Sequence, residues 1–597
     1  MRRCHFLRDN KATQLPNQFV CVDTETDAIA AGPGVVRHRL RFGWASYQRT
    51  VTRGQWTAPE WYRFTSGRQF WSWAEARSRE RTRLYVFAHN WSFDATVLDT
   101  FTILPKRGWA LTRAVIESPP IILAWRRLAS TIEMLDTLNF FAVPLRDLGQ
   151  HLGLEKLPMP EQTASRGDWD TYARRDVEIL RRAMLSWWAF LDAHDLGGFA
   201  KTLAGQSMRA FRHGRMPAKI LIDDDVRACV LAREALLGGR VEAFRLGRVK
   251  TPVIAYDVNS MYPAVMGGHD YPTALRLYAR NPTRREFYRW IERYCCVARV
   301  NIETDTPQYA HKVDGVLTFP VGRLRAVLTT PDLVAAVEAG HFRECEEIAL
   351  YEPAPIFHPY VTELYGLRRQ AMTDGDEVKS YLLKLLLNAL YGKFAQRGTV
   401  WHKVAAAEDA TIKTWSDLDF DTGVIREYRQ FCGIIQERAA GLETQESHPA
   451  IAAHVTAWAR RKLWDLINVA NREEVVYVDT DSLFVTWIGA KALEPFTHGR
   501  ALGFLRTVAR YEWVHIFGAK DYATPERWTC KGVRGNALWI NSRKIEQEEW
   551  STLRGMVQRG DLGPPETRKR VMLLGRKYTK GVRVKGGRVL PFRLREW

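Results

Sequence analysis

Val475-Val-Tyr477-Val-Asp479-Thr480-Asp481-Ser482-Leu-Phe-Val485 is the stretch that decides the fold. Two apolar half-strands flank a short polar turn, the pattern of a β-hairpin with two carboxylates at its tip. Upstream, Val253-Ile-Ala-Tyr-Asp257-Val258-Asn-Ser260-Met-Tyr262-Pro263 reads as a strand with another Asp near its end, turning into a helix. Between them lies Lys384-Leu-Leu-Leu-Asn388-Ala-Leu-Tyr391-Gly392-Lys393. Lys384, Asn388 and Tyr391 stand at i, i+4 and i+7, so they share one helical face while the leucines cover the rest. Carboxylates on a strand and at a hairpin tip, with a Lys-bearing helix between them in sequence, suit metal-assisted chemistry on a phosphate.

The N-terminal third repeats that logic. Phe19-Val-Cys-Val-Asp23-Thr-Glu25 reads as an apolar strand ending in two carboxylates that point to one face. Tyr85-Val-Phe-Ala-His-Asn90-Trp-Ser-Phe93-Asp94 is a second strand, running through a polar turn into a helix. Asp168-Trp-Asp-Thr-Tyr172-Ala-Arg-Arg-Asp176 reads as a helix with Asp168 as its N-cap, and Tyr172 and Asp176 share a face. Taken singly each pattern is weak. Together, Asp23, Glu25, Asp94 and Asp176 can hold two divalent ions about 3.5–4 Å apart, the arrangement of two-metal phosphodiester hydrolysis. The Tyr172 hydroxyl is placed to orient the attacking water.

The 597 residues carry 87 Lys and Arg against 67 Asp and Glu, a net charge of +20. Such a charge calls for a polyanionic partner, and a nucleic-acid backbone is the commonest. With 46% hydrophobic residues a disordered chain is excluded, and no apolar run reaches the length of a membrane span. The basic N-terminus has no apolar segment behind it, so an intracellular, cytoplasmic protein is expected. Eight cysteines without a CxxC pair fit a reducing compartment. Residues 566–597 hold eleven Lys and Arg and two Glu, interleaved with Tyr578, Phe592 and Trp597, which reads as a folded basic surface. Gly32-Pro33-Gly34, Pro158-Met159-Pro160 and Gly563–Pro565 look like connectors.

In this order the motifs resemble those of family B DNA polymerases, over about residues 19–535. DxE, NxxFD and YxxxD are similar to that family's three exonuclease motifs; DVNSMYP, KLLLNALYG and YVDTDS are similar to its polymerase motifs A, B and C. The resemblance implies Asp257, Val258 and Asp479 as ligands of two catalytic metals, with Asp481 supporting them. It also implies Lys384 and an Arg at 368 or 369 on the triphosphate, Tyr262 under the deoxyribose, and Asn388 and Tyr391 around the nascent pair. Asn90 and Phe93 would position a frayed primer end.

Finer patterns resemble the protein-primed branch of phages, adenoviruses and linear plasmids. Lys520-Asp-Tyr522 is similar to its KxY element, Thr456-Ala-Trp-Ala-Arg460 to Tx2(A/G)R, Thr137-Leu138-Asn-Phe-Phe141 to (S/T)Lx2h, and Lys156-Leu-Pro-Met159 to Kx2h. All four are DNA contacts in that branch. Its YxGG linker appears as Leu236-Leu-Gly238-Gly239, with the glycines kept and the Tyr absent.

The expected architecture is α/β and α+β multidomain. An RNase H-like 3′→5′ exonuclease domain (1–200) precedes a right-hand polymerase (201–597). Within the latter, a palm is expected at about 245–324 and 448–520, insertions at about 325–365 and 398–447, fingers at about 366–397, and a thumb at about 521–597, its basic segment closing around a duplex. Expected partners are primer-template DNA, dNTPs and a terminal protein, with no membrane, and the chain is expected to be a monomer. The expected cofactors are two Mg²⁺ per site, with Mn²⁺ as the alternative. The rivals are a polymerase using an ordinary primer or none, a nuclease whose second half only binds DNA, and a non-enzymatic DNA-coating protein.

Overall fold

The computed structural model describes residues 3–117, 119–409, 411–420 and 422–595, so Trp597 lies outside the described residues. The N-terminal part is organised by a mixed sheet. Strand Gln18–Gly32 runs parallel to Arg83–Ala88, which runs parallel to Ser130–Asp136. Val35–Thr52 folds back antiparallel on the first strand, and Ile121–Arg127 and Ala110–Ile116 extend the other edge. Phe19, Val20, Cys21 and Val22 are all fully buried, as befits a strand covered on both faces. Helix Arg166–Ala193 seals one face, its Val177, Leu180, Met184 and Trp188 joining Phe19, Cys21 and Phe87 in one core.

Two local expectations are corrected. The strand bearing Asp23 and Glu25 does not end after them but continues to Gly32, and Gly32-Pro33-Gly34 is the tip of a hairpin rather than a connector. Beyond Thr26 the arm is exposed, so no apolar pattern marks it in the sequence. Asp168 is not the helix N-cap. Ser165 is, its Oγ accepting the Asp168 N–H while the Asp168 carboxylate accepts the Ser165 N–H, a reciprocal capping box.

The second half is centred on an antiparallel sheet ordered Val241–Ala243, Val475–Asp479, Ser482–Thr486, Val253–Val258, Leu505–Tyr511. The sequence-read hairpin occupies its middle. Helices Met261–Gly268, His358–Asp374, Glu377–Ala395 and Pro449–Val469 share one core with this sheet through Met261, Tyr360, Leu383, Leu387 and Val455.

A separate sheet is ordered Tyr271–Arg280, Phe342–Ala354, Cys295–Thr304, Val321–Thr329, Arg593–Leu594. The boundary read near 325 cuts the strand Val321–Thr329. Residues 325–365 therefore do not stand apart from those before them, because their strand segments pair with strands that begin at 271 and 295. Arg397–Ala406, Lys413–Asp419, Val424–Phe431 and Ile434–Glu443 form a four-stranded antiparallel sheet of their own.

The basic C-terminus is not one surface, which corrects the expectation that 566–597 closes as a unit. Glu566–Leu573 pairs with Lys544–Trp550 on one side and with Val35–Arg37 on the other, extending the N-terminal sheet. Residues 576–594 run back over the second half, where Leu246 N–H donates to the Gly587 carbonyl at 2.6 Å and Val321 N–H to that of Phe592 at 2.8 Å. The boundary read at 520/521 falls inside a hairpin, Val514–Gly518 with Asp521–Ala523.

Candidate active sites

Asp257 and Asp479 stand on strands that share a neighbour. In the antiparallel ladders Asp257 lies opposite Ser482, and Ser482 opposite Asp479, so the carboxylates of both motifs meet at one end of the sheet. Asp481 occupies the turn, and its carbonyl accepts the Val258 N–H at 2.8 Å, locking motif C to motif A. Cations already crowd the cluster. Lys520 Nζ lies 3.1 Å from Asp479 Oδ1, and an Arg506 guanidinium nitrogen 3.4 Å from Asp257 Oδ2. Burial, with the charges of Asp257 and Asp479 adding to it, pushes the Asp481 carboxyl up to about 6. Burial also raises Asp257, against the pull of Arg506 and Lys384.

Around this cluster the rings of Tyr262 and Tyr391 stack face to face, 4.5 Å apart and 2° from parallel. Lys384 and Asn388 are exposed on the same helix, and Asn388 Nδ2 donates to the Lys384 carbonyl at 2.9 Å. Of the two candidate arginines, Arg368 turns toward motif A, donating to Ser260 Oγ at 2.8 Å, whereas Arg369 is exposed. The Tyr522 ring packs on Phe484 and Tyr477. Tyr477 in turn donates to Asp479 Oδ2 at 3.3 Å and accepts the Lys520 N–H at 2.9 Å.

In the N-terminal part, oxygens of Asp23, Glu25 and Asp176 all lie within 4.8 Å of one another. Asp94 stands beside them, buried, with Thr24 Oγ1 donating to its Oδ1 at 2.6 Å. Burial is the chief cause that pushes Glu25 and Asp94 up to about 7, and Asp23 well above the ordinary carboxylate range, with neighbouring carboxylates adding to it. Lys156 pairs with Asp176, and its ammonium lies 4.4 Å from the centre of the Tyr172 ring. The second oxygen of Asp176 is buried and accepts no hydrogen bond from the protein. Three converging carboxylates, mutual repulsion and a buried free acceptor fit a divalent cation held by oxygen.

Several residues read as DNA contacts sit elsewhere. Thr137 and Phe141 are buried, Thr137 Oγ1 bonding the Ala88 carbonyl and His89 Nδ1, so only Leu138 is partly exposed in that motif. Thr456 is buried and donates to the Ala453 carbonyl. Arg460 is buried too, clamping the carbonyls of Leu237 and Gly238 at 2.9 and 3.1 Å. These motifs brace the structure behind the surface, a burial that short patterns cannot reveal. Asn90 opens its helix in the left-handed region (φ +80°), and Phe93 meets His38 and Trp550 edge-on at 5.5 Å.

Asp136 escaped the sequence reading. It is buried and accepts the N–H groups of Asn90, Trp91 and Leu138 at 3.0, 2.8 and 2.9 Å, anchoring both expected DNA motifs at once. Its only sequence signal is an Asp closing an apolar strand. Gly239 has a close contact to serve: a Cβ there would lie 2.8 Å from Thr480 Cγ2, whereas Gly238 faces open space.

A family model described as DNA polymerase type B, organellar and viral, matches residues 169–420. A DNA polymerase of Kluyveromyces lactis is 27% identical over 338 residues, covering 53% of this chain and 32% of its own length. A DNA-directed DNA polymerase of Enterobacteria phage PRD1 is 25% identical over 58% of this chain and 59% of its own. For that of Streptococcus phage Cp-1 the figures are 24%, 67% and 70%. Against the first two, the chain spans less than two thirds of the relative's length. Phi29 DNA polymerase complexed with primer-template DNA shares the fold, with a TM-score of 0.68 at 15% identity over 94% of this chain and all of that one. Among the described residues, no helix is long and apolar enough to cross a membrane. The motifs, the meeting of Asp257 with Asp479 and Asp481, and these likenesses converge: the chain is similar to the type B DNA polymerases of the organellar and viral kind.

Proposed function

We propose that this chain is a DNA-directed DNA polymerase with a 3′→5′ proofreading exonuclease. The observation that carries the reading is the pair of acidic centres: Asp257, Asp479 and Asp481 on one sheet, and Asp23, Glu25 and Asp176 on another. A DNA-coating protein has no use for carboxylates that repel its ligand.

At the polymerase centre Asp257, Asp479 and the carbonyl of Val258 would hold Mg²⁺, or Mn²⁺ through the same oxygens, with Asp481 alongside. Such ions acidify the primer 3′-hydroxyl and neutralise the triphosphate. The chain's own groups do the binding. Lys384 and Arg368 grip phosphates, the first as a point charge and the second as a fork fixed by Ser260. The stacked Tyr262 and Tyr391 form a flat floor for the sugar and the new base pair. Lys520 holds the primer end.

In the exonuclease, Asp23, Glu25, Asp94 and Asp176 are the metal set, Tyr172 orients water, Lys156 tempers the negative charge, and Asn90, Phe93 and Leu138 take the single strand. Initiation on a terminal protein, with strand displacement, is part of the same proposal.

Extension of a labelled primer on a single-stranded circle with Mg²⁺ and four dNTPs tests this. Products longer than the circle are expected. Shortening of the primer without any extension overturns the polymerase assignment.

A further inference from the structure

Three alternate residues of the C-terminal tail engage the frame around Asp479. Arg576 Nε donates to Asp521 Oδ2 at 3.0 Å, and its guanidinium lies 3.6 Å from the centre of the Phe517 ring and 4.7 Å from that of Trp528. The ion pair is largely buried, its side chains 9% and 13% exposed. Asp521 stands between Lys520 and Tyr522, where Lys520 itself adopts φ +58°. The Tyr578 hydroxyl accepts the Ala243 N–H at 2.9 Å and donates to the Ala243 carbonyl at 3.3 Å. Lys580 Nζ donates to the Val241 carbonyl at 2.9 Å.

Val241–Ala243 is an edge strand of the catalytic sheet, and its outer backbone groups would otherwise be left without strand partners. Tail side chains take the place of a further strand. The inner edge explains why that matters: Val241 is the ladder partner of Asp479, and Ala243 that of Tyr477, whose hydroxyl bonds both Asp479 and the Lys520 backbone.

We propose that Arg576, Tyr578 and Lys580 form a positioning strap for the polymerase centre. The strap fixes the Lys520-Asp521-Tyr522 turn and the edge strand against Asp479, and so sets where the primer terminus lies. It rests on the polymerase reading above. None of the three residues touches reacting atoms; they act through Lys520 and Asp479.

The test is made in the full-length chain. A lone buried carboxylate would itself disturb the turn, so Arg576→Met is combined with Asp521→Asn, and Lys580→Met is a second variant. Steady-state single-nucleotide addition is measured beside degradation of a single-stranded oligonucleotide and thermal melting. For each variant, KM for primer-template is expected to rise about tenfold with a smaller change in kcat, while single-strand degradation and melting stay near wild type. Arg576→Lys, which keeps the charge, is expected to recover part of the loss.

Primer-template KM within about twofold of wild type in both variants overturns the strap. So does an equal loss of extension and degradation, which marks general destabilisation. Failure of the wild-type chain to extend any primer would instead sink the polymerase reading itself, and the two failures are thereby told apart.

Discussion

The backbone N–H of Thr480 donates to the carbonyl of Arg240 at 2.7 Å, tying the turn between Asp479 and Asp481 to the segment that joins the two halves of the chain. Thr480 holds φ +60°, a region that β-branched residues avoid, so the turn needs an outside anchor. Arg240 is a firm one. Its wholly buried guanidinium lies 4.0 Å from the Phe319 ring centre and 4.9 Å from that of Trp464, and is 2.6 Å from Glu242 Oε2. The aim of the motif C carboxylates thus depends on the linker as well as on the hairpin.

The two linker glycines should therefore behave differently. Gly239→Ala drives a methyl into Thr480, at an overpacking cost of about 1–3 kcal/mol. Gly238→Ala meets open space. Primer extension is expected to fall about tenfold or more in Gly239→Ala, with single-strand degradation retained, and to stay near wild type in Gly238→Ala. Equal behaviour of the two variants would remove the contact from the account.

The acidic centres should separate cleanly. Asp479→Ala is expected to abolish extension and leave primer degradation. Asp23→Ala with Glu25→Ala is expected to do the reverse, by about a hundredfold or more where metal ligands are lost. Gel assays of both activities on one preparation read this out, and extension persisting in Asp479→Ala would refute the assignment.

The buried carboxylates of the N-terminal centre predict a pH effect on stability. Glu25 and Asp94 are raised to about 7, chiefly by burial, and Asp23 is raised as well. A carboxyl raised on folding binds a proton that the unfolded chain has lost. Its contribution is thus fully present below the unfolded pKa of about 4 and is lost as pH rises through about 7. With divalent ions chelated, Asp23→Asn with Glu25→Gln should melt higher than wild type at pH 8, and the gap should close toward pH 5. Added Mg²⁺ should stabilise the wild type more than the variant at pH 8. A gap that is constant with pH would contradict the proposed repulsion.

Asp136→Asn tests the shared anchor. The amide cannot accept from three N–H groups as an ionised carboxylate does, and the loss is expected to cost about 1–3 kcal/mol. Binding of a single-stranded oligonucleotide should weaken and degradation slow, while extension from a paired primer changes little. Unchanged single-strand affinity would show that Asn90 and Leu138 do not need this anchor.

The elements that carry the candidate catalytic residues were legible because their patterns are local. Asp257 on a strand, Asp479 and Asp481 in a hairpin, and Lys384, Asn388 and Tyr391 on one helical face follow from periods of two and 3.6 residues. What stayed hidden was anything fixed by distant neighbours. Thr137, Phe141, Thr456 and Arg460 carry the right letters for a nucleic-acid surface, yet the packed chain buries them, since burial depends on what covers a residue. Asp136 carries no sequence signal beyond an Asp closing an apolar strand, and its role rests on the N–H groups of Asn90, Trp91 and Leu138 that the fold brings to it.

The basic tail shows the division most plainly. Sequence alone determined its charge and its aromatic spacing, and, through the ordered motifs, the resemblance to type B DNA polymerases and the candidate carboxylates. Only the tertiary structure decided that Glu566–Leu573 extends the N-terminal sheet, that Tyr578 and Lys580 close the edge of the sheet bearing Asp257 and Asp479, and that Arg576 pairs with Asp521. The physical reason is that a strand's free edge is satisfied by whichever chain segment reaches it, and more than 300 residues separate Ala243 from Tyr578.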